Sequence, residues 1–215
     1  MDADLSNYRR SYEKNELSLS KSPENPFELF RDWFLEVDEH FPEDENNAMT
    51  ISTLGLDGFP KNRVVLLKRY TYEGFIFYTN YNSEKGRAIQ ANPNVCLSFF
   101  WHGAERQIII KGKAEKIAEN LSDGYFESRP RGSQLGALVS KQSEVVESRA
   151  VLENKLKRLE EQFVNKDIPR PDFWGGFMVK PIEFEFWQGR ANRLHDRIRY
   201  KLDNEYNWVK TRLSP

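Results

Sequence analysis

The segment Arg193-Leu-His-Asp-Arg197 carries Arg193, His195 and Arg197 at alternate positions. In an extended chain alternate side chains share a face, so Asp196 would point the other way and could not neutralise all three. With Trp187 just upstream, such a face suits a flat, anionic, heteroaromatic ligand. Guanidinium can stack on an aromatic ring, and imidazole can hydrogen-bond the ring's substituents.

Further groups could cradle anions. Tyr125 and Arg129 lie on one side of a helix by their spacing, and Ser133 follows the break at Pro130. Tyr78-Thr79 precedes Ser83 and Lys85, where a helix N-terminus would favour phosphate. Ser140-Lys-Gln-Ser143 offers groups that either meet a ligand or cap a helix. Arg63 and Lys68 bracket Val-Val-Leu-Leu, and Arg106-Gln107 opens an isoleucine run. A buried guanidinium needs a carboxylate, a phosphate or water. The competing reading for each cation is ion pairing, since 33 acidic residues face 32 basic ones. Taken together, the clusters suggest two phosphate-bearing ligands in one pocket.

Other chemistries lack their residues. There is no Gly-x-Gly-x-x-Gly turn, no Walker A loop and no Gly-x-Ser-x-Gly elbow. His40, His102 and His195 are far apart in sequence and Cys96 is the only cysteine, so no metal site is expected.

The elements that must position these groups are mostly short strands. Residues 1–24 are polar and read as a mobile arm carrying Tyr8, Arg9, Arg10 and Tyr12. Asn25-Pro-Phe-Glu28 then starts a helix, with Phe30, Trp33, Phe34, Val37 and Phe41 at helical spacing. Strands follow at Met49–Leu54, Arg63–Lys68 and Phe75–Thr79. A short helix runs from Ser83 to Asn92-Pro93, and two more strands cover Val95–Trp101 and Arg106 to about Ile117. Residues 119–164 look helical with a break at 129–132, and Leu152, Leu156, Leu159 and Phe163 form a stripe. Phe184 and Phe186 alternate with Glu183 and Glu185, and Ile198–Leu202 with Trp208–Leu213 suggests a closing hairpin. This is a mainly β fold with helices, a small barrel in one domain over 25–215 rather than a parallel α/β sheet.

Composition bounds the function. A net charge of −1 argues against bulk nucleic-acid binding. The single cysteine cannot form an intrachain disulfide and reads as a buried structural thiol. No apolar stretch has membrane-spanning length and no secretory leader is visible, so no membrane is expected and a cytoplasmic location is the default.

The chain resembles the pyridoxine (pyridoxamine) 5'-phosphate oxidase family along nearly its whole length. The resemblance rests on the ordered blocks Arg-Val-Val-Leu-Leu-Lys, Tyr-Thr-Asn, Glu-Arg-Gln, Ser-Arg-Pro-Arg-Gly-Ser, Ser-Lys-Gln-Ser, Phe-Trp-Gly-Gly-Phe, Phe-Trp-Gln-Gly and Arg-Leu-His-Asp-Arg. It implies an FMN-binding split β-barrel homodimer with flavin at the subunit interface. It further implies oxidation of pyridoxine or pyridoxamine 5'-phosphate to pyridoxal 5'-phosphate, with oxygen as acceptor and hydrogen peroxide as by-product. By the same resemblance, Arg63, Val64, Val65, Leu66, Leu67, Lys68, Tyr78, Thr79, Lys85, Gln107, Gln142, Ser143, Trp187 and Arg197 would bind FMN. Lys68, Tyr125, Arg129 and Ser133 would take the substrate phosphate, and Arg193 and His195 would hold the ring and act in catalysis. Arg9 and Tyr12 would close over it. The alternative is another split-barrel flavoprotein, either a flavin reductase or a non-catalytic FMN carrier, which would lack the substrate set. A nucleic-acid-binding barrel is disfavoured by the charge balance.

One departure stands out. Where the family often has Ser-Arg-Lys, this chain has Ser83-Glu84-Lys85. A carboxylate facing a phosphate would cost on the order of 1–4 kcal/mol, so Glu84 is expected to turn to solvent at the helix N-terminus.

Overall fold

Asn25 starts the first helix: its side chain accepts a hydrogen bond from the Phe27 N–H, and Pro26 takes a first-turn position where no N–H is needed. This helix, α1 (Pro26–His40), buries Phe27, Phe30, Trp33 and Val37 and ends at Phe41. Each of these large side chains contributes about 1.5–3 kcal/mol on burial.

The computed structural model describes residues 3–8 and 10–215. After α1 come β1 (Ala48–Leu54), β2 (Pro60–Leu66), β3 (Arg69–Thr71), β4 (Gly74–Asn80), α2 (Glu84–Ala91), β5 (Asn94–Trp101) and β6 (Arg106–Lys116). Three helices follow, α3 (Glu119–Ser128), α4 (Arg131–Val139) and α5 (Arg149–Gln162), then β7 (Trp174–Gln188), β8 (Asp196–Leu202) and β9 (Trp208–Leu213). The strands share one sheet in the order β2-β1-β5-β6-β7-β4-β3, with β8 beside β7 and β9 beside β8. The pairings β3–β4, β4–β7, β7–β8 and β8–β9 are antiparallel.

The chain divides into two compact units. The first comprises Met1–Met49, Leu97–Lys111 and Pro181–Pro215. Its core is aromatic: Phe27 meets Phe184, Phe30 meets Phe99, and Trp33 meets Phe186 edge to face, with centroids 5.2–5.3 Å apart. Arg106 is buried here, held by Glu36 at 2.8 Å and Gln188 at 2.9 Å, with its guanidinium over Trp33. For this cation the ion-pairing reading holds.

The second unit comprises Thr50–Cys96 and Gly112–Lys180. Phe77 and Phe177 stack across the paired strands β4 and β7. A separate cluster of Phe126, Leu135, Ile168 and Trp174 is covered by Leu156, Leu159 and Phe163, so the stripe read on α5 faces this core.

Two boundaries differ from expectation. Strand β2 starts at Pro60 and stops at Leu66, leaving Lys68 in the connection to β3. The helical stretch also breaks a second time, because α4 stops at Ser140 and Ser143 adopts a left-handed φ of 75°. No described helix is long and apolar enough to cross a membrane.

Candidate active site

In the second unit, β2, β4, α3 and α4 enclose a cleft of ≈ 470 Å³. It is lined by Val64, Val65, Leu66, Lys68, Tyr78, Thr79, Lys85, Tyr125, Arg129, Ser133 and Gln142, all expected from the sequence, and also by Asn80, Gly136, Ala137, Ser140 and Trp174. Leu67 is buried beside it rather than lining it.

One end of the cleft is built on the start of α2. Ser83 caps the helix by accepting the Gly86 N–H, while its own hydroxyl donates to the Asn80 carbonyl at 2.6 Å. Gly86 is required here because a Cβ would lie 2.2 Å from the Tyr81 carbonyl oxygen. The turn brings Lys85 inward, where its Nζ donates to Thr79 Oγ1 at 3.3 Å and Gln142 Oε1 at 3.2 Å. Ser143 Oγ accepts the Glu84 N–H at 3.2 Å. Arg63 donates to the Thr53 hydroxyl at 2.6 Å and the Lys61 carbonyl at 2.9 Å. All of these acceptors are neutral. Burial, and then the charge of Arg63, lower the Lys85 pKa; burial also lowers that of Arg63, against the pull of Glu84. Two neighbouring cations with neutral hydrogen-bond partners form a site for an anion.

Glu84 itself does not simply face solvent. Its carboxylate, about half exposed, pairs with Lys61, which also reaches Asp57 at 3.3 Å. The expected turn to solvent is met in part: the carboxylate is half exposed, and it is also ion-paired.

The other end of the cleft is aromatic and cationic. Tyr78 stacks on Tyr125 at 3.9 Å and on Trp174 at 5.5 Å. The Arg129 guanidinium lies 4.6 Å from the Trp174 ring, and its NH1 is buried without a hydrogen-bond partner. Burial lowers its pKa, partly offset by Tyr125. An orphaned buried donor of this kind costs about 1–3 kcal/mol unless a ligand satisfies it.

The first unit holds a second cleft of ≈ 580 Å³, lined by Tyr8, Arg10, Ser11, Tyr12, Arg190, Asn192, Arg193 and His195. The His195 ring lies 4.6 Å from Trp187 and 6.0 Å from Tyr12, which meets Trp187 edge to face at 5.8 Å. The Arg190 N–H donates to His195 Nδ1 at 3.0 Å. Burial, then the nearby Arg193 charge, lower the His195 pKa.

The expected extended face does not form here. Asn192 and Arg193 have φ of 57° and 61°, left-handed conformations that break the strand, and β8 begins only at Asp196. Arg193 and His195 therefore share a cleft through a turn, and Arg197 is not among its lining residues. Arg197 sits opposite Trp187 in the β7–β8 ladder. Its Nε and NH2 contact Glu185 at 2.9 and 2.8 Å, and its NH1 donates to the Ser214 carbonyl at 2.7 Å. Asp196 does turn elsewhere, to Arg212 at 2.6 Å, the Leu17 N–H at 3.0 Å and Arg190 at 3.5 Å.

The segment bearing Tyr12 is tied down. Glu105 accepts the N–H groups of Glu13 and Lys14 at 2.9 and 3.1 Å, and Arg10 bonds His102 Nε2 at 2.8 Å. Arg212 donates to the Leu17 carbonyl at 2.9 Å. Gln107, half-buried on β6, lines neither cleft. Arg9 lies outside the described residues.

Comparison with known proteins fits this arrangement. Residues 36–163 match the family described as pyridoxamine 5'-phosphate oxidase, and residues 174–215 match the pyridoxine 5'-phosphate oxidase C-terminal dimerisation region. The chain belongs to the pyridoxine/pyridoxamine 5'-phosphate oxidase family. It is 68% identical to the pyridoxine/pyridoxamine 5'-phosphate oxidase of Flavobacterium psychrophilum, over 99% of each chain. The enzyme of Christiangramia forsetii is 53% identical over the full length of both. Among solved structures, PhzG from Burkholderia lata superposes with a TM-score of 0.84 at 28% identity, covering 91% of this chain and 95% of that one. A pyridoxamine 5'-phosphate oxidase-related, FMN-binding protein from Nostoc punctiforme shares the fold at a TM-score of 0.70, over 88% of this chain and 98% of that one. The mainly β fold with helices is thus that of the split-barrel flavoproteins.

Several residues of this family member's site escaped the sequence reading, the lining residues Asn80, Gly136 and Ala137 among them. Trp174 had a signal in the Phe-Trp-Gly-Gly-Phe block. Arg190 acts on His195 through its backbone N–H, which any residue type could supply. Glu185 was read only as strand alternation, and Lys61 was not singled out at all.

Proposed function

We propose that the chain oxidises pyridoxine 5'-phosphate and pyridoxamine 5'-phosphate to pyridoxal 5'-phosphate, using FMN and oxygen, as a homodimer. The observation that carries this reading is the presence of two separate anion sites in one cleft: Lys85, with neutral partners and the Arg63 charge nearby, and Arg129, with an orphaned buried NH1. A flavin phosphate and a substrate phosphate satisfy both.

In this reading Arg63, Lys85, Thr79, Gln142 and Ser143 hold the FMN phosphate, and Val64 to Lys68 lie along the flavin. Gln107, Trp187 and Arg197 complete the flavin contacts. Lys68, Tyr125, Arg129 and Ser133 take the substrate phosphate. Residues 1–24 are an arm that Glu105 and Asp196 hold with Tyr12 over the substrate, and 25–215 are the oxidase domain. The chemistry that bound FMN supplies is acceptance of the hydride leaving the substrate C4', with oxygen as final acceptor and hydrogen peroxide as by-product.

The protein's part is orientation and charge. Because a backbone N–H can only donate, His195 Nδ1 is the acceptor in its bond with Arg190. The neutral ring then carries its proton on Nε2 and offers it as a donor. A donor at Nε2 with Arg193 beside it stabilises negative charge on a substrate oxygen; it is not arranged as a proton-abstracting base. Arg193 also fixes the ring's position.

The visible spectrum of the purified protein tests the reading. Anaerobic pyridoxine 5'-phosphate should bleach the flavin band, and air should restore it with release of pyridoxal 5'-phosphate. A protein that stays inert after FMN addition would refute it. Light scattering should give twice the chain mass.

A further inference from the structure

Beside the flavin-phosphate end of the cleft stands a carboxylate where a third cation would serve better. Glu84 is the first residue of α2 and adjoins Lys85. Left unpaired, it would be an available counter-charge for Arg63 and Lys85 and would repel a dianion. Lys61 removes that problem. It lies two residues before Arg63 on β2, so both side chains stand on one face of the strand, and the Lys61 carbonyl also accepts from Arg63. Its ammonium holds the Glu84 carboxylate on one side and Asp57 at 3.3 Å on the other. The Lys61–Glu84 pair therefore runs alongside Arg63 and Lys85, and both of those cations sense Glu84 electrostatically.

We propose that Lys61 is a charge-balancing residue of the FMN site: it engages Glu84 so that the carboxylate neither offsets the field of Arg63 and Lys85 nor repels the flavin phosphate. This rests on the placement of that phosphate given above. Lys61 acts through Glu84 and is a positioning residue, not a ligand.

The test is a fluorescence titration of the full-length chain, freed of flavin, with FMN and separately with riboflavin at low ionic strength. Lys61→Met should weaken FMN binding about three- to tenfold, as expected for one unscreened surface charge. In a Glu84→Gln background the same substitution should change affinity less than about twofold. Riboflavin affinity should not change in any variant, and the FMN effect should shrink as salt shortens the Debye length. Unchanged FMN affinity in Lys61→Met would overturn the proposal. So would an equal loss in the Glu84→Gln background, which would make Lys61 a direct phosphate ligand, or an equal loss for riboflavin, which would mean structural damage. Lys85→Met separates the two levels. If it leaves FMN affinity intact, the phosphate placement fails and this proposal with it; if it alone weakens binding, only the proposal fails.

Discussion

The backbone N–H of Arg190 and the Nδ1 atom of His195, 3.0 Å apart, fix which nitrogen of the imidazole carries the proton. The ring is poised to donate from Nε2, and protonating Nδ1 would cost this bond. The depressed His195 pKa, caused first by burial and then by Arg193, acts in the same direction.

A pH profile follows from that depression. His195 binds its proton less readily in the folded chain than at the ordinary value of 6.5. It therefore stays neutral to lower pH, and its contribution to stability is lost as pH falls below that value. The acid limb of kcat/KM should lie below the ordinary histidine range. His195→Ala should lose about 100-fold in kcat/KM. His195→Gln, whose amide can place an N–H near the Nε2 position, should lose no more than about tenfold. A variant with Gln as inactive as the one with Ala would count against a donor role.

Arg129 offers a test that separates binding from folding. Removing it should raise KM for the phosphorylated substrate about 100-fold, the loss of a charge-assisted hydrogen bond worth about 1.5–3 kcal/mol. Because its NH1 is buried without a partner, Arg129→Ala should not lower the melting temperature of the ligand-free chain. A fall of several degrees would show that the guanidinium is structural.

Asp196 should behave in the opposite way. Burial alone would raise its pKa, but Arg212, the Leu17 N–H and Arg190 outweigh burial and hold it low. Its stabilisation is present above the ordinary carboxylate range and lost only as pH falls through the depressed value. Asp196→Ala should cost about 1–3 kcal/mol in urea unfolding at neutral pH. The deficit should narrow near pH 3; a constant deficit would mean that the charge is not what stabilises.

Two glycines give contrasting outcomes. A Cβ at Gly86 would meet the backbone oxygens of Tyr81 and Asn80 at 2.2 and 2.8 Å, so Gly86→Ala must displace the start of α2. It should cost about 1–3 kcal/mol and weaken FMN binding. Gly124, inside α3 with nothing within 4 Å of a new Cβ, should gain about 0.5–1 kcal/mol as Ala. Thermal unfolding of both variants checks the pair.

Much of this was legible because its signals are local. The Asn25 and Ser83 caps, the Phe184–Phe186 alternation and the β8–β9 hairpin each depend on a few adjacent residues, and each formed as read. Spacing suggested the anion cradles at Tyr125–Ser133 and Tyr78–Lys85, whereas Val64 to Leu66 entered the cleft list only through the family blocks. Two of the failures share a physical origin, backbone conformations that residue types do not announce. The left-handed pair Asn192–Arg193 turned an extended reading into a bend, and left-handed Ser143 lies in the second helix break. The partner of Glu84 was invisible for a different reason. Lys61 is brought to it by a sheet–helix contact spanning 23 residues, and nothing near Glu84 in sequence marks it.

The clamp on Leu17 has a consequence for how the protein is made. Its N–H and C=O are held by Asp196 and Arg212, at sequence separations of 179 and 195. At about 5–20 residues per second, a ribosome adds the second partner roughly 10–40 s after Leu17. For most of that interval the segment bearing Tyr12 has neither this clamp nor the rings of Trp187 and His195 to pack on. The wall of the second cleft is thus among the last parts to form on a nascent chain. A message cut short before Arg212 would yield a chain whose Leu17 carbonyl had lost its partner.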